Sequence, residues 1–172
     1  GYLHVKPVVF WQQENLLQQY LPNLDRYIVL SDYDKRDYME KLGIDCEVKI
    51  NPRSFVSEKK CDVKSKRFLM ATRFVYAKGL DLMMESFEEF CKEDSEWELD
   101  IIGDGDLFDQ IRADAKKRHL EKRVHFVGYT NEPEKYYLNS SVFLLPSRWE
   151  GWPMVIMEAF EFGLPVISYH MG

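Results

Sequence analysis

Two glutamates in the stretch "SRWEGWPMVIMEAF", Ser147 to Phe160, are of a type that accepts hydrogen bonds from ligand hydroxyls. Glu150 and Glu158 are separated by seven residues, the first just before and the second about two turns inside an apolar run. From Trp152 to Phe162 the run has the pattern of a helix buried on most of its surface. A carboxylate in such a helix is costly unless something pairs with it. Gly151 gives the backbone freedom, and Pro153 fits the first position of a helix. The helix start then offers the N–H groups of Gly151, Trp152, Met154 and Val155, Pro153 having none, and such a cradle holds a phosphate without any side chain. Carboxylates beside it repel phosphate but accept hydrogen bonds from sugar and ribose hydroxyls. The plainer alternative makes Glu150 a solvated loop acid and Glu158 an outward-facing helix residue. Met157, Ala159 and Phe160 around Glu158 weigh against it, and Glu161 is the more natural solvent-facing acid.

A second stretch, "TRFVYAKGLDLMMESF", carries Arg73 and Lys78, two cations that can neutralise a diphosphate or simply be surface charges. For a lone Arg or Lys the surface charge is the commoner case, but lysine at a helix start weakens it, because the helix dipole disfavours a cation there unless an anion is near. In "GDGDLFDQI", Gly103 and Gly105 permit a tight turn at a ligand mouth. The third glycine of a dinucleotide fingerprint would fall at Phe108, and Asp104 and Asp106 set negative charge against a pyrophosphate, so a nicotinamide or flavin site is disfavoured. A plain turn with the aspartates capping the next helix competes with direct ligand contact. The same two aspartates have the spacing of a metal pair but make a weak ligand set on another loop, so no metal is expected. In "GYTNEPEKYYLNSS", Gly128 can turn, Pro133 can open a short helix, and Tyr129 or Thr130 could edge a base pocket, with Tyr136 and Tyr137 as packing residues.

These residues need strands and helices to hold them. β-Rich runs occur at Pro7 to Trp11, Arg26 to Leu30, Cys46 to Ile50, Arg67 to Ala71, Trp97 to Ile102, Arg123 to Val127, Ser141 to Leu145 and Pro165 to Ser168. Most are near-continuously apolar, as strands covered on both faces should be. Helical periodicity follows from Lys78 through Leu80, Met83, Met84, Phe87, Phe90 and Cys91, and again over Leu107, Phe108, Ile111 and Ala115. Ser31 suits an N-cap for a helix ending at Gly43. The alternation predicts an α/β fold with a doubly wound, Rossmann-like parallel sheet, in which ligands sit beyond the carboxyl ends of the strands. Residues 51–66 are polar and weakly periodic and read as a linker before the βα series that opens at Arg67.

The 172 residues, 45% hydrophobic and 15% aromatic, suffice for one domain or one and a part. With 23 basic against 29 acidic residues the net charge is −6, which supplies no basic face for nucleic acid. Cys46, Cys61 and Cys91 are far apart and suggest reduced thiols in a cytosolic protein. No apolar run reaches the length of a membrane span, and the first residues lack the pattern of a signal peptide.

Together, "FLMATRFVYAKGLDLMMESF", "LDIIGDGDLFDQI", "VHFVGYT" and "FLLPSRWEGWPMVIMEAFEFGLPVI" resemble the donor-binding domain of retaining glycosyltransferases of the GT-B fold, the family 4 or group 1 type. The resemblance covers Arg67 to about Ser168, and the glutamate pair matches the family's signature motif. It implies a nucleotide-diphospho-sugar donor, a UDP-sugar ahead of a GDP-sugar, and no cofactor. Arg73 and Lys78 match the diphosphate-binding pair, Glu150 the acid that contacts the donor sugar, and Glu158 the acid that holds the ribose. Gly103, Gly151, Trp152, Met154 and Val155 complete the expected donor site. Residues 1–50 are similar to the end of the acceptor-side domain and the hinge, with 51–66 as linker and 67–172 as a donor domain incomplete at its C-terminus. Pro52 follows Asn51 where the family commonly has glycine, a departure that touches the hinge.

The implied reaction moves a sugar to an acceptor hydroxyl, on a glycan or lipid-linked sugar, with retention at the anomeric carbon and without metal, in glycan or cell-surface polysaccharide synthesis. Arg73, Lys78 and the helix N-terminus would meet the charge developing on the leaving diphosphate. Glu150 would position the sugar and stabilise oxocarbenium-like charge rather than act as a nucleophile. A two-domain enzyme of this type needs roughly 300 residues or more. The chain is therefore expected to be a fragment, inactive alone, from a cytoplasmic protein, and any contact with the inner membrane face is expected to lie in other regions. The rival readings are a nucleotide-sugar epimerase of the same architecture and a non-catalytic nucleotide-binding module.

Overall fold

A computed structural model describes residues 19, 23–52, 54, 56–94 and 96–169. The expected strand Pro7 to Trp11 lies outside the described residues. The chain divides into two compact units, residues 1–52 and 53–171.

In the first unit, β1 (Ile28–Val29) and β2 (Glu47–Val48) pair in parallel around α1 (Asp32–Leu42). Helix α1 begins and ends where its caps dictate. Ser31 Oγ accepts the Asp34 N–H at 3.0 Å, and Gly43 closes the helix in the left-handed region at φ 69°.

The second unit is a five-stranded parallel sheet. Its strands are β3 (Arg67–Ala71), β4 (Glu98–Ile102), β5 (Val124–Gly128), β6 (Val142–Leu145) and β7 (Val166–Ser168), in the order β5-β4-β3-β6-β7. The helices are α2 (Leu80–Glu93), α3 (Phe108–Lys117), α4 (Pro133–Leu138) and α5 (Met154–Glu161). Alternate strand residues serve opposite faces. Phe68, Met70, Leu99, Ile101 and Leu144 pack with Met83, Met84 and Phe87 of α2 and Ile111 and Ala115 of α3. Leu69, Ala71, Ile102, Phe143 and Leu145 pack with Tyr137 of α4 and Ala159 and Phe162 at α5. Strand order reverses between β3 and β6, so the loops after these two neighbouring strands face each other across the switch point.

One polar row crosses this second face. Arg67 holds Asp100 through contacts of 3.0 and 3.1 Å and Glu98 at 2.6 Å, and Glu98 lies 2.7 Å from His125 Nε2. Asp100 is buried beside Leu99, Ile101 and Ile102 of the same strand, and its pairing with Arg67 is what makes a carboxylate tolerable there.

The polar stretch before β3 is fastened to this unit. Ser57 N–H donates to Glu161 Oε1 at 2.9 Å, Cys61 N–H to the Phe162 carbonyl at 2.8 Å, and Asp62 N–H to the Leu138 carbonyl at 3.0 Å. Glu161, expected to face solvent, is one of its anchors.

Helix α5 departs from the expectation of burial on most of its surface. Only Ala159 within it is buried, while Phe160 is 59% and Met157 36% exposed. A helix of eight residues lying on a sheet covers one stripe and leaves the rest outside. Pro153 is the N-cap, at φ −76° and ψ 89°, rather than the first helical residue.

Candidate functional site

Two loops at the switch point meet at their charged residues. Behind β3 the chain runs through Arg73 into a 3₁₀ turn, Tyr76–Lys78, which ends at Gly79. Gly79 has φ 64°, and a Cβ there would stand 2.1 Å from the Pro146 carbonyl oxygen, so only glycine lets the two loops touch. Behind β6 the chain runs from Pro146 to Pro153 before α5 begins.

Lys78 Nζ reaches across to Glu150, 2.7 Å from each carboxylate oxygen. Both side chains are largely enclosed, 18% and 10% exposed. Ser147, itself buried, donates its hydroxyl to Glu150 Oε1 at 2.6 Å. Glu150 is thus neither a solvated loop acid nor free to swing, and its orientation is fixed from two sides.

Arg148 locks the same two loops from outside the pair. Its N–H donates to the Ala77 carbonyl at 2.8 Å, and its guanidinium reaches the Tyr76 carbonyl at 3.0 Å. The same guanidinium forks onto Asp81 at 2.8 and 2.7 Å and lies 4.1 Å from the centre of the Tyr76 ring. Arg148 holds the Asp81 carboxyl below its ordinary value.

Arg73 is exposed on the β3 loop and has no ion-pair partner among the described residues. No side chain caps α5, and its first turn contains no acid, so the N–H groups of Met154 and Val155 begin the helix uncapped beside Glu150. The Trp152 indole N–H is buried without an acceptor among the described residues. At Gly151 the φ is ordinary and an added Cβ would meet no atom within 4 Å, so the fold itself does not require glycine there.

Glu158 answers the cost of a carboxylate in an apolar helix with a partner from α4. Tyr137 donates its hydroxyl to Glu158 Oε2 at 2.7 Å. Burial and the Glu158 charge push the Tyr137 phenol far above its ordinary pKa, so it stays a donor.

Gly103 sits at the carboxyl end of β4 for reasons of packing. At φ 124° its Cβ would fall 1.8 Å from the Thr72 carbonyl oxygen, and its N–H donates to the Gly128 carbonyl at 2.8 Å. Gly105 likewise lies against the Phe74 backbone. Asp104 and Asp106 of this turn do not cap α3. Its N-cap is Leu107 without a side-chain hydrogen bond, and Asp104 Oδ1 accepts the neighbouring Gly105 N–H at 2.8 Å. Among the described residues no three His, Cys, Asp or Glu side chains form a metal cluster. Tyr129 is 79% exposed beyond β5, and Thr130 Oγ1 accepts the Glu132 N–H.

The sequence alone misses Ser147, Arg148 and the polar use of Tyr137. The serine and arginine flank Glu150 directly, which is the only signal they carry; Tyr137 lies 21 residues from Glu158 and carries none.

Comparison with known proteins places this geometry in context. Residues 54–172 match the family model described as Glycosyl transferases group 1. Over 148 residues the chain is 30% identical to an uncharacterized glycosyltransferase of Haemophilus influenzae, covering 85% of this chain and 42% of that protein. It is 32% identical over 105 residues to the lipopolysaccharide 1,6-galactosyltransferase of Salmonella typhimurium, covering 59% and 29%. The chain spans less than half the length of these curated relatives. Among solved structures, a mutant of S. aureus TarM in complex with Fondaparinux, alpha-GlcNAc-glycerol and UDP aligns with a TM-score of 0.82 at 21% identity, over 93% of this chain and 33% of that one. The pneumococcal O-GlcNAc transferase GtfA in complex with UDP and GlcNAc gives 0.77 at 23% identity, over 91% and 32%. At these identities the structural likeness shows a common fold.

Proposed function

The chain belongs to the glycosyl transferases group 1 family and has the parallel α/β fold of GT-B glycosyltransferases, and on that premise we propose that it carries the donor site of a retaining glycosyltransferase. Its donor is a nucleotide-diphospho-sugar, and its product belongs to glycan or polysaccharide synthesis. Residues 67–172 form the donor domain, and 1–50 end the acceptor-side domain. The observation that carries this reading is the meeting of Lys78 and Glu150 at the switch point, beside the uncapped start of α5.

Each part has a physical task. Lys78 and the exposed Arg73 meet the charge that grows on the diphosphate as its bond to the anomeric carbon breaks, and the Met154 and Val155 N–H groups add fixed dipoles. Glu150 accepts hydrogen bonds from the sugar hydroxyls and faces the positive charge developing on the ring. Glu158 accepts from the ribose. Gly151 leaves room for the donor to approach the backbone, which accounts for a glycine that the fold does not need. No metal is required, because these cations and dipoles supply the positive field. The UDP in complex with TarM and with GtfA favours a UDP-sugar for this chain, with a GDP-sugar as the other candidate. The acceptor is a glycan or lipid-linked sugar.

Calorimetric titration of the folded chain with UDP, GDP, ADP and NAD tests the proposal. Saturable binding of one nucleoside diphosphate, weakened at least tenfold in Glu158→Ala, is expected from loss of a charged hydrogen bond. Preference for NAD, or equal affinity in Glu158→Ala, would overturn it.

A further inference from the structure

Tyr137 has a place in the site that its apolar surroundings conceal. Its ring is fully buried and stacked between Phe143, with centroids 5.8 Å apart and planes at 6°, and Phe162, at 5.2 Å and 19°. A ring held between two aromatic planes cannot follow a moving partner. The Glu158 carboxylate must therefore come to the Tyr137 hydroxyl, which meets Oε2 at 2.7 Å. The other oxygen, Oε1, accepts no hydrogen bond from a described side chain. One oxygen is tied to the core and one is left for a ligand.

We infer that Tyr137 is a positioning residue for nucleotide recognition, orienting Glu158 so that its second carboxylate oxygen selects a donor with an intact ribose. The inference rests on the assignment of Glu158 to the ribose. It goes beyond that assignment by naming what fixes the carboxylate and what specificity follows. A glutamate with three free side-chain torsions would lose rotamer entropy on meeting a hydroxyl, and a pre-oriented one loses less. The phenol also satisfies Oε2 from inside, which leaves the carboxylate one accessible acceptor edge.

Tyr137→Phe removes the hydroxyl and keeps the stacked ring, so it separates orientation from packing. The probes are UDP and GDP, each against its 2′,3′-dideoxy counterpart, titrated into the full chain. In the wild-type chain the ribonucleotide should bind about tenfold more tightly than the dideoxy form. In Tyr137→Phe that preference should fall to about threefold or less through weaker ribonucleotide binding, with the dideoxy affinity kept within about twofold. Glu158→Gln, which keeps the tyrosine and loses the charge, should likewise reduce the preference, and the double variant should lose little more than either single one. Equal weakening of both nucleotides in Tyr137→Phe, or an unchanged preference, overturns the positioning role while leaving Glu158 at the ribose. Absence of any preference in the wild-type chain, or of binding by both nucleotides, overturns the ribose assignment and the inference together.

Discussion

Lys78 and Glu150, 72 positions apart, form an enclosed ion pair in which the ammonium lies 2.7 Å from both carboxylate oxygens. The pair ties the loop after β3 to the loop after β6. It also brings together the cation that the proposal assigns to the diphosphate and the anion that it assigns to the sugar.

Breaking this pair from one side should cost more than removing both charges. Lys78→Met leaves Glu150 enclosed with only Ser147 and should lower unfolding free energy by about 3 kcal/mol. Lys78→Met combined with Glu150→Gln should recover at least about 1 kcal/mol of that loss. Urea unfolding of the two single variants and the double variant measures the coupling, and strictly additive losses would count against a pair that shares its burial.

Two glycines of the site should respond oppositely. At Gly79, alanine meets the Pro146 carbonyl oxygen at 2.1 Å and adopts φ 64°, so a loss of about 2 kcal/mol or more is expected. At Gly151 nothing stands within 4 Å, and alanine should change stability by no more than about 0.5 kcal/mol. Binding of the selected nucleotide sugar to Gly151→Ala should nevertheless fall severalfold if the donor approaches that backbone. Thermal unfolding together with donor titration distinguishes the two positions.

Much of this was legible in the sequence because it depends on local pattern. The apolar runs gave strands over β3 to β7, Ser31 and Gly43 marked the caps of α1, and Arg73, Lys78, Glu150 and Glu158 stood behind strands where a parallel sheet keeps its ligands. What stayed hidden depends on tertiary approach. Nothing in "WELDII" shows that Asp100 will be met by Arg67 on the neighbouring strand, and Tyr137 reads as packing although its hydroxyl meets Glu158 of α5. Gly103 carries the signal of a ligand turn, yet the space beside it is filled by Thr72 backbone. Sequence spacing could not separate those two causes, since both demand glycine.

Arg148 should be intolerant of lysine. Arg148→Lys keeps the charge but cannot fork onto Asp81 while reaching the Tyr76 carbonyl and lying over its ring. A stability loss of about 1 kcal/mol is expected, with nucleotide affinity falling severalfold as the turn that carries Lys78 loosens. Unchanged values in both assays would show that the arginine only decorates the surface.

Acid should weaken the polar row on the sheet. The Glu98 carboxyl is held below its ordinary value of 4.5, first by its hydrogen bond with His125 and then by the Arg67 charge, against the opposing effect of burial. A lowered folded-state value means that the stabilisation is present above pH 4.5 and is lost as pH falls through the folded-state value below it. Wild type should therefore exceed Glu98→Gln in urea midpoint at pH 5.5, and the gap should narrow by pH 3.5. A gap that stays constant, or widens on acidification, would refute the assigned linkage.

The most direct test is a crystal structure of the chain with the nucleoside diphosphate that it selects between UDP and GDP. The account predicts a β-phosphate within hydrogen-bond distance of Lys78 and of the Met154 or Val155 N–H, and a ribose hydroxyl on Glu158. A diphosphate seated instead on the Gly103–Gly105 turn, with Lys78, Glu150 and Glu158 untouched, would contradict it.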